Sequence, residues 1–598
     1  MTDPWRDPGR PPEARALALL SVMTLDEKIG QMTQLESGSI DPAGLARFQL
    51  GSVLSGGDGG PGVNEPEAWY RFVHAYQQAA LRTRLGIPIL FGIDAVHGNN
   101  KVVGATIFPH NVGLGAAADP DLVERIARAT ALEMSAVGIR WTFAPVVAVP
   151  QDVRWGRTFE GYGEDPALVT RLATAFIAGL QAPDLAADEA VAATAKHFVG
   201  DGGTAWGSST TRDFSLDQGV TSVEDAVFGA IHLAPYPPAI EAGTRIVMAS
   251  FSSTPAGKVH GDRHLLTEVL KGELGFTGFV VSDWAGVDQV APDYPTAVAQ
   301  SVMAGMDMVM VPNDAAAFQV AVRDGLAAGT ISQDRVDDAV LRILRVKFEM
   351  GLFERPMPPD RRAALVGSAE HRALAREAVA RSAVLLETGP GVLPIRPQET
   401  VLLAGPAADD IGRQSGGWTI SWLGSEGPIT TGTTIADALR DRLGDRIRYR
   451  ADGEVGPGLR ADVGIVVVGE PPYAEGFGDS ASLALPAEDV ALVARIRPHV
   501  DRLVVVVLSG RPMLLDGIVG TADAVIAAWL PGTEGDGLAD LLLGGRPFTA
   551  TTPYTWPLAP DGAPRALDAP CRYPFGYGLD ASGTLLGPGP CTTEAILG

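Results

Sequence analysis

Between about Leu85 and Val311 the chain alternates short apolar runs with stretches of helical spacing. The runs Pro88–Ala95 (PILFGIDA), Arg140–Val147 (RWTFAPVV), Ala192–Gly200 (AATAKHFVG), Arg245–Phe251 (RIVMASF), Gly278–Asp283 (GFVVSD) and Met306–Val311 (MDMVMV) read as strands bounded by turn residues. Continuous apolar runs indicate a parallel sheet covered on both faces. Six such strands within about 300 residues predict a (β/α)8-like barrel, whose active site lies where strands end and βα loops begin.

Asp337–Leu352 keeps helical spacing and is followed by the prolines of Phe353–Pro359, which interrupt any regular element. After a helix at His371–Ala380, buried-strand runs at Val401–Gly405, Gly464–Gly469, Leu503–Gly510 and Ala524–Leu530 predict a smaller open α/β sheet. The expected α/β architecture is therefore a barrel over 12–353, a linker at 354–370, an open α/β sandwich domain over 371–580 and a tail at 581–598. Gly51–Gly62 (GSVLSGGDGGPG) fits neither glycine-rich phosphate pattern and is expected to be a tight or mobile loop.

With 598 residues, of which 46% are apolar and 20% charged, the chain can bury a large core, which excludes a small binding module and a disordered polymer. Lys plus Arg number 47 against 71 Asp plus Glu, so the net charge of −24 opposes phosphate backbones and anionic lipid. Nucleic acid and membrane are not expected as partners. Met1–Arg10 shows no apolar signal core, and a cytoplasmic protein, monomeric or homodimeric, is expected. Two cysteines, Cys571 and Cys591, form no framework and no clustered metal site, and their pairing stays open. HExxH, GxSxG and EF-hand patterns are missing, so neither a metal nor a cofactor is expected.

Several strand ends carry chemistry. Asp283 closes Gly278–Asp283 beside Trp284, a carboxylate next to a flat apolar face that suits a sugar ring. The same pair also fits a helix N-cap beside a core tryptophan. Lys196 and His197 in AKHFVGDGGT can hold hydroxyls and keep a nearby carboxylate ionised, or can form a buried ion pair. Asp94 and His97 in GIDAVHG, and Arg154 and Arg157 in RWGRTFE, stand at similar edges. In the second domain VVVGEPPYAEGFGD runs from a buried strand into a loop with Glu470, Glu475 and Asp479; it reads either as a general acid reaching across an interface or as a solvated acidic loop. GGWTISW places Trp418 and Trp422 where at least one can stack on a ligand, or where both can be core.

In order, GIDAVHG, ATIFPHNVGLGA, DVRWGRTFE, AKHFVGDGGT, GFVVSDW, GGWTISW and GEPPYAEGFGD resemble family 3 glycoside hydrolases, in the β-glucan exohydrolase and β-glucosidase branch, over roughly residues 15 to 580. The resemblance implies a barrel followed by an α/β sandwich with a glucose-sized pocket between them. It puts Asp283 at the nucleophile position and Glu475 at the acid/base position, with Glu470 in reserve. Asp94, Arg157, Lys196 and His197 match residues that hold hydroxyls of the terminal glucosyl unit, with Phe143 and Met248 lining the same pocket. Trp284 and Trp422 match two aromatic walls that clamp the next sugar. Thr210 and Ala285 stand where the plant enzymes have acidic residues, Gln289 where they have Arg and Phe251 where they have Tyr, which puts aglycone preference in doubt.

The implied activity is retaining, exo-acting hydrolysis of β-linked gluco-oligosaccharides or β-glucosides. Alternatives are a β-xylosidase or β-N-acetylglucosaminidase of the same family, or a catalytically silent sugar-binding protein. The N-acetylglucosaminidase branch resembles KHFPGHG, whereas this chain has KHFVGDGG. Arg157 and Lys196 are expected to favour an ionised Asp283, and a less charged loop to keep Glu475 protonated. Asp283 and Glu475 are far apart in sequence, so only domain docking can bring them together.

Overall fold

The computed structural model describes residues 3–211, 213–456, 458–560 and 570–591, the side chains at 362 and 363 excepted. Among the described residues eight short parallel strands ring the first domain, apart from a small hairpin of Ser253–Thr254 and Gly257–Lys258: β1 (Thr33–Glu36), β2 (Ser52–Ser55), β3 (Leu90–Ile93), β4 (Trp141–Thr142), β5 (Thr194–Phe198), β6 (Ile246–Ala249), β7 (Phe279–Val281) and β8 (Val309–Met310). They pair in parallel as β8-β1-β2-β3-β4 and β5-β6-β7. Isolated bridges join the two sheets, Trp141 with Ala192, Val146 with Lys196 and Val281 with Met308, so the ring is barrel-like without one continuous ladder.

The six apolar runs of the sequence contain β3 to β8. The other two strands escaped that pattern because they are partly polar. β2 lies inside Gly51–Gly62, which corrects the expectation of a loop there. Its serines are buried by being bonded: Ser52 donates to the Leu90 carbonyl at 2.8 Å and accepts from Gln34, and Ser55 pairs with Ser37 at 2.8 Å. A satisfied hydroxyl can be buried in a strand at little cost. Outer helices start where sequence chemistry dictates. Asp119, Asp165, Asp293, Asp314 and Ser332 each accept a backbone N–H in the first turn of the helix that follows.

The second domain holds β9 (Val384–Thr388), β10 (Val401–Ala404), β11 (Ile447–Arg450), β12 (Ala461–Gly469), β13 (Val500–Leu508) and β14 (Ala524–Trp529). Their order is β9-β14-β13-β12-β10-β11, parallel except for the antiparallel edge strand β9. Valines 504 to 507 of β13 are fully buried, as a central strand covered on both faces requires. The helix Ala369–Ser382 bonds to both domains: His371 lies 2.8 Å from Glu133 of the barrel, and Arg376 grips Asp540 through two bonds of 2.6 Å. Within the stretch expected as a linker, Arg362–Leu365 forms one helical turn.

Cys571 and Cys591 form a disulfide within the C-terminal segment. Residues 592–598 of the expected tail lie outside the described residues. Among the described residues no helix is long and apolar enough to cross a membrane.

Ile526, fully buried in β14, is a fair gauge of the second domain's core. Ile526→Ala should cost ~2–5 kcal/mol of that domain's stability, read as a lower urea midpoint with kcat/KM per folded molecule unchanged. An unchanged midpoint would contradict this packing.

Candidate active site

The polar strand ends of the barrel converge at one mouth. Asp94 follows β3, Lys196 and His197 belong to β5, and Asp283 stands two residues past β7. The C-terminal ends of barrel strands are where side chains can point into a common site. Lys196 Nζ lies 3.0 Å from Asp94 Oδ1, with both groups buried. His197 Nδ1 lies 2.7 Å from Asp201 Oδ2, while its Nε2 faces Arg157 Nη2 at 3.3 Å and Asp283 Oδ2 at 3.5 Å. Burial, together with the charges of Arg157 and Lys196, keeps the imidazole neutral. With Arg157 donating to Nε2, the ring proton sits on Nδ1 and is given to Asp201.

Asp283 is fixed by its own backbone and Oδ1: its N–H donates to His260 Nε2 at 2.9 Å, and Oδ1 accepts from the Trp284 N–H at 2.7 Å. Its Oδ2 is buried without a hydrogen-bond partner. Burial pushes Asp283 up to about 6, outweighing Arg157, Lys196 and the Trp284 N–H. The two cations do favour the ionised form, and removing water from the carboxylate is the larger effect.

Glu475 opens a short turn, Glu475–Gly478, of the second domain and has φ 52°, a left-handed backbone that a non-glycine residue adopts only when its surroundings hold it there. Its Oε1 lies 3.5 Å from Arg157 Nη1. Burial pushes Glu475 up to about 8; Asp217, Asp283 and Glu160 add to the rise against the pull of Arg157. The loop is thus not a weakly charged environment, as expected, but a crowded one in which carboxylates outnumber the arginine. Arg157 itself also donates to Glu160 at 2.8 Å; burial opposes its charge, yet Glu160, Glu475 and Asp217 hold the guanidinium firmly protonated.

Glu470, the reserve acid, is engaged elsewhere. It receives two bonds from Arg511, at 3.1 and 2.9 Å, and one from the Tyr473 hydroxyl at 2.9 Å. His97 is turned away from the mouth: Nδ1 meets the Phe108 carbonyl and Nε2 the Thr419 hydroxyl, both at 3.0 Å. Arg154 pairs with Asp152 at 2.6 Å. Phe143 and Met248 are core residues at 1% and 2% exposure, Phe143 lying edge-on to Trp141.

The rim is aromatic. Trp284 is exposed, Trp422 half-buried and Trp418 buried. Phe477, two residues past Glu475, stands edge-on to Trp422 at 5.6 Å and to Phe214 at 5.4 Å. The glycine-rich turn after β2 supports both tryptophans: a Cβ on Gly56 would meet the Trp284 ring at 3.0 Å, and Asp58 accepts the Trp422 N–H at 3.1 Å. Phe214, Phe477, Asp58 and Asp217 were not singled out from sequence, although Phe477 sits inside the EGFGD segment. Gln289 bonds to Gln218 and Thr211, each at 3.2 Å, and Phe251 packs near His260. Among the described residues no cluster of His, Cys, Asp and Glu is arranged to hold a metal ion.

Comparison with known proteins gives one consistent picture. Residues 24–346 match the glycosyl hydrolase family 3 N terminal domain, and 383–581 match the family's C-terminal domain. The chain is 31% identical to a lysosomal beta glucosidase of Dictyostelium discoideum, over 90% of this chain and 71% of that protein. An exo-1,3/1,4-beta-glucanase of a Pseudoalteromonas species superposes with a TM-score of 0.90 at 40% identity, over 98% of this chain and 76% of that one. A beta-glucosidase of Listeria innocua in complex with glucose gives 0.83 at 28% identity, over 95% and 83%.

The two raised carboxyls set a pH window. kcat/KM should rise as Asp283 loses its proton through about 6 and fall as Glu475 loses its own through about 8. Glu475→Gln should abolish the falling limb and keep the rising one in a pH–rate profile. A falling limb that survives would assign it to another group.

Proposed function

The chain belongs to glycosyl hydrolase family 3, and from that premise we propose that it is a retaining, exo-acting β-glucosidase that releases glucose from the non-reducing ends of β-linked gluco-oligosaccharides and β-glucosides. One observation carries the assignment of roles. A single chain of contacts runs from Asp283 through His197 and Arg157 to Glu475, joining two carboxyls of unequal acidity from two domains. At neutral pH the lower one is ionised and the higher one protonated. Carboxyls whose environments push them apart are the division of labour that glycoside hydrolysis needs.

Asp283 Oδ2, which has no hydrogen-bond partner, attacks the anomeric carbon as the glycosidic bond breaks, and Glu475 gives its proton to the departing oxygen. Glu475, now a carboxylate, takes a proton from water as that water displaces Asp283, so the sugar leaves with its original β configuration. Asp94, Lys196, His197 and Arg157, all buried, supply the closed polar end that reads one terminal glucosyl unit. Trp284 and Trp422 offer ring faces to the next unit, and a ring face selects an apolar sugar surface rather than one hydroxyl pattern. Where the N-acetylglucosaminidase branch places a histidine, Asp201 is committed to His197, which favours the glucosidase reading.

Proton NMR of an aryl β-glucoside incubated with the protein should show β-glucose first, before mutarotation, and faster release than from the aryl β-xyloside or N-acetyl-β-glucosaminide. α-Glucose appearing first would exclude a two-step displacement. Glucose bound tightly but no glycoside cleaved would leave a binding protein.

A further inference from the structure

The loop that carries Glu475 is fastened to the barrel by a second carboxylate. Asp479, four residues on, accepts four backbone N–H groups of the first domain: Gly156 on Oδ1 at 2.9 Å, and Ser215, Leu216 and Asp217 on Oδ2 at 3.0, 2.6 and 3.0 Å. Three successive N–H groups converging on one anion form a nest, a strong seat for a carboxylate. The barrel answers in kind, since Asp217 accepts the Gly476 N–H on Oδ2 at 3.2 Å and the Trp155 indole N–H on Oδ1 at 3.0 Å. Glu475 hangs between these two anchors. Two further contacts close the geometry. A Cβ on Gly156 would lie 1.9 Å from the Glu475 carbonyl, so only glycine admits the loop at this distance. Arg511 reaches the Gly478 carbonyl at 2.5 Å and the Arg154 carbonyl at 3.0 Å, gripping both loops at once.

We propose that Asp479 is the positioning residue that sets Glu475 over the leaving-group oxygen, and that Asp217 is its reciprocal on the barrel. Neither touches the reacting atoms; both act through Glu475. The proposal rests on the reading of Glu475 as general acid, and it states which part of a two-domain interface is tuned for proton transfer instead of cohesion. In kcat/KM, which reports the first displacement, misplacing a general acid harms only those substrates whose leaving group needs a proton. A merely structural anchor would harm all of them alike.

The test compares kcat/KM for phenyl β-glucoside, whose oxygen must be protonated, with that for 2,4-dinitrophenyl β-glucoside, whose oxygen departs as a stable anion. For Asp479→Asn the phenyl substrate should lose ~10²-fold or more, the scale of a misplaced general acid, while the dinitrophenyl substrate stays within about threefold of the original protein because Asp283 is untouched. Azide should then raise kcat for the dinitrophenyl substrate by attacking the anomeric carbon as the bond to Asp283 breaks, giving β-glucosyl azide. Asp217→Asn should shift the same ratio in the same direction, and it decides the matter should Asp479→Asn fail to fold. Equal losses on both substrates, or no loss on either, would overturn the proposal. Glu475→Ala separates the two readings. If its own loss is not selective for the phenyl substrate, the acid assignment fails and the positioning role falls with it; if it is selective while both Asn variants are not, the positioning role alone fails.

Discussion

A buried arginine is the charge around which the two domains meet. Arg157 reaches Glu160 at 2.8 Å inside the barrel and Glu475 at 3.5 Å across the interface, and it also faces His197. Burying a guanidinium costs several kcal/mol unless close carboxylates repay it. Glu160 repays it within the barrel. Glu475 is therefore free to stay protonated, drawn toward the cation yet opposed by Asp217, Asp283 and Glu160. Without Arg157 the same carboxyls would lose the one cation that acts on Asp283, Glu475 and Asp217 alike.

The carboxyl that Arg157 meets across the interface comes from the second domain, on the turn Glu475–Gly478. Bringing Glu475 in on a loop lets the docking contacts, and not the barrel core, decide where its carboxyl stands. The same loop brings Phe477 to the aromatic rim, so the raised carboxyl and an aromatic wall share one turn. Docking is distributed as well: the helix Ala369–Ser382 grips Glu133 on one side and Asp540 on the other, holding the domains together away from the site.

Much of this was legible in the sequence because it depends on local pattern. Continuous apolar runs located β3 to β8 and four strands of the second sheet, and the polar residues at their ends marked Asp94, Lys196, His197 and Asp283 as neighbours at one mouth. The edge strands β9 and β11 escaped as well, and in the barrel satisfaction in three dimensions hid polarity in one. β1 and β2 carry Thr, Gln, Glu and Ser that are bonded inside the barrel, so their strand character was invisible to hydropathy. By composition Glu470 and Glu475 look alike, the resemblance alone ranked them, and the structure shows Glu470 taken up by Arg511. The rise of Asp283 to about 6 was invisible for the complementary reason: charges can be counted along a chain, whereas the loss of water around a carboxylate cannot. Asp479 was visible as a residue but not as an anchor, since its partners are backbone N–H groups, which every sequence contains.

The central claim is that Asp283 forms a covalent bond to the sugar. Its direct measurement uses an activated 2-deoxy-2-fluoro-β-glucoside, which slows both displacement steps, with a good leaving group so that the glycosyl-enzyme accumulates. Peptide mapping by mass spectrometry should then find one 2-fluoroglucosyl group per chain, on the peptide ending β7 and specifically on Asp283. A label on any other residue, or time-dependent inactivation that persists in Asp283→Ala, would contradict it.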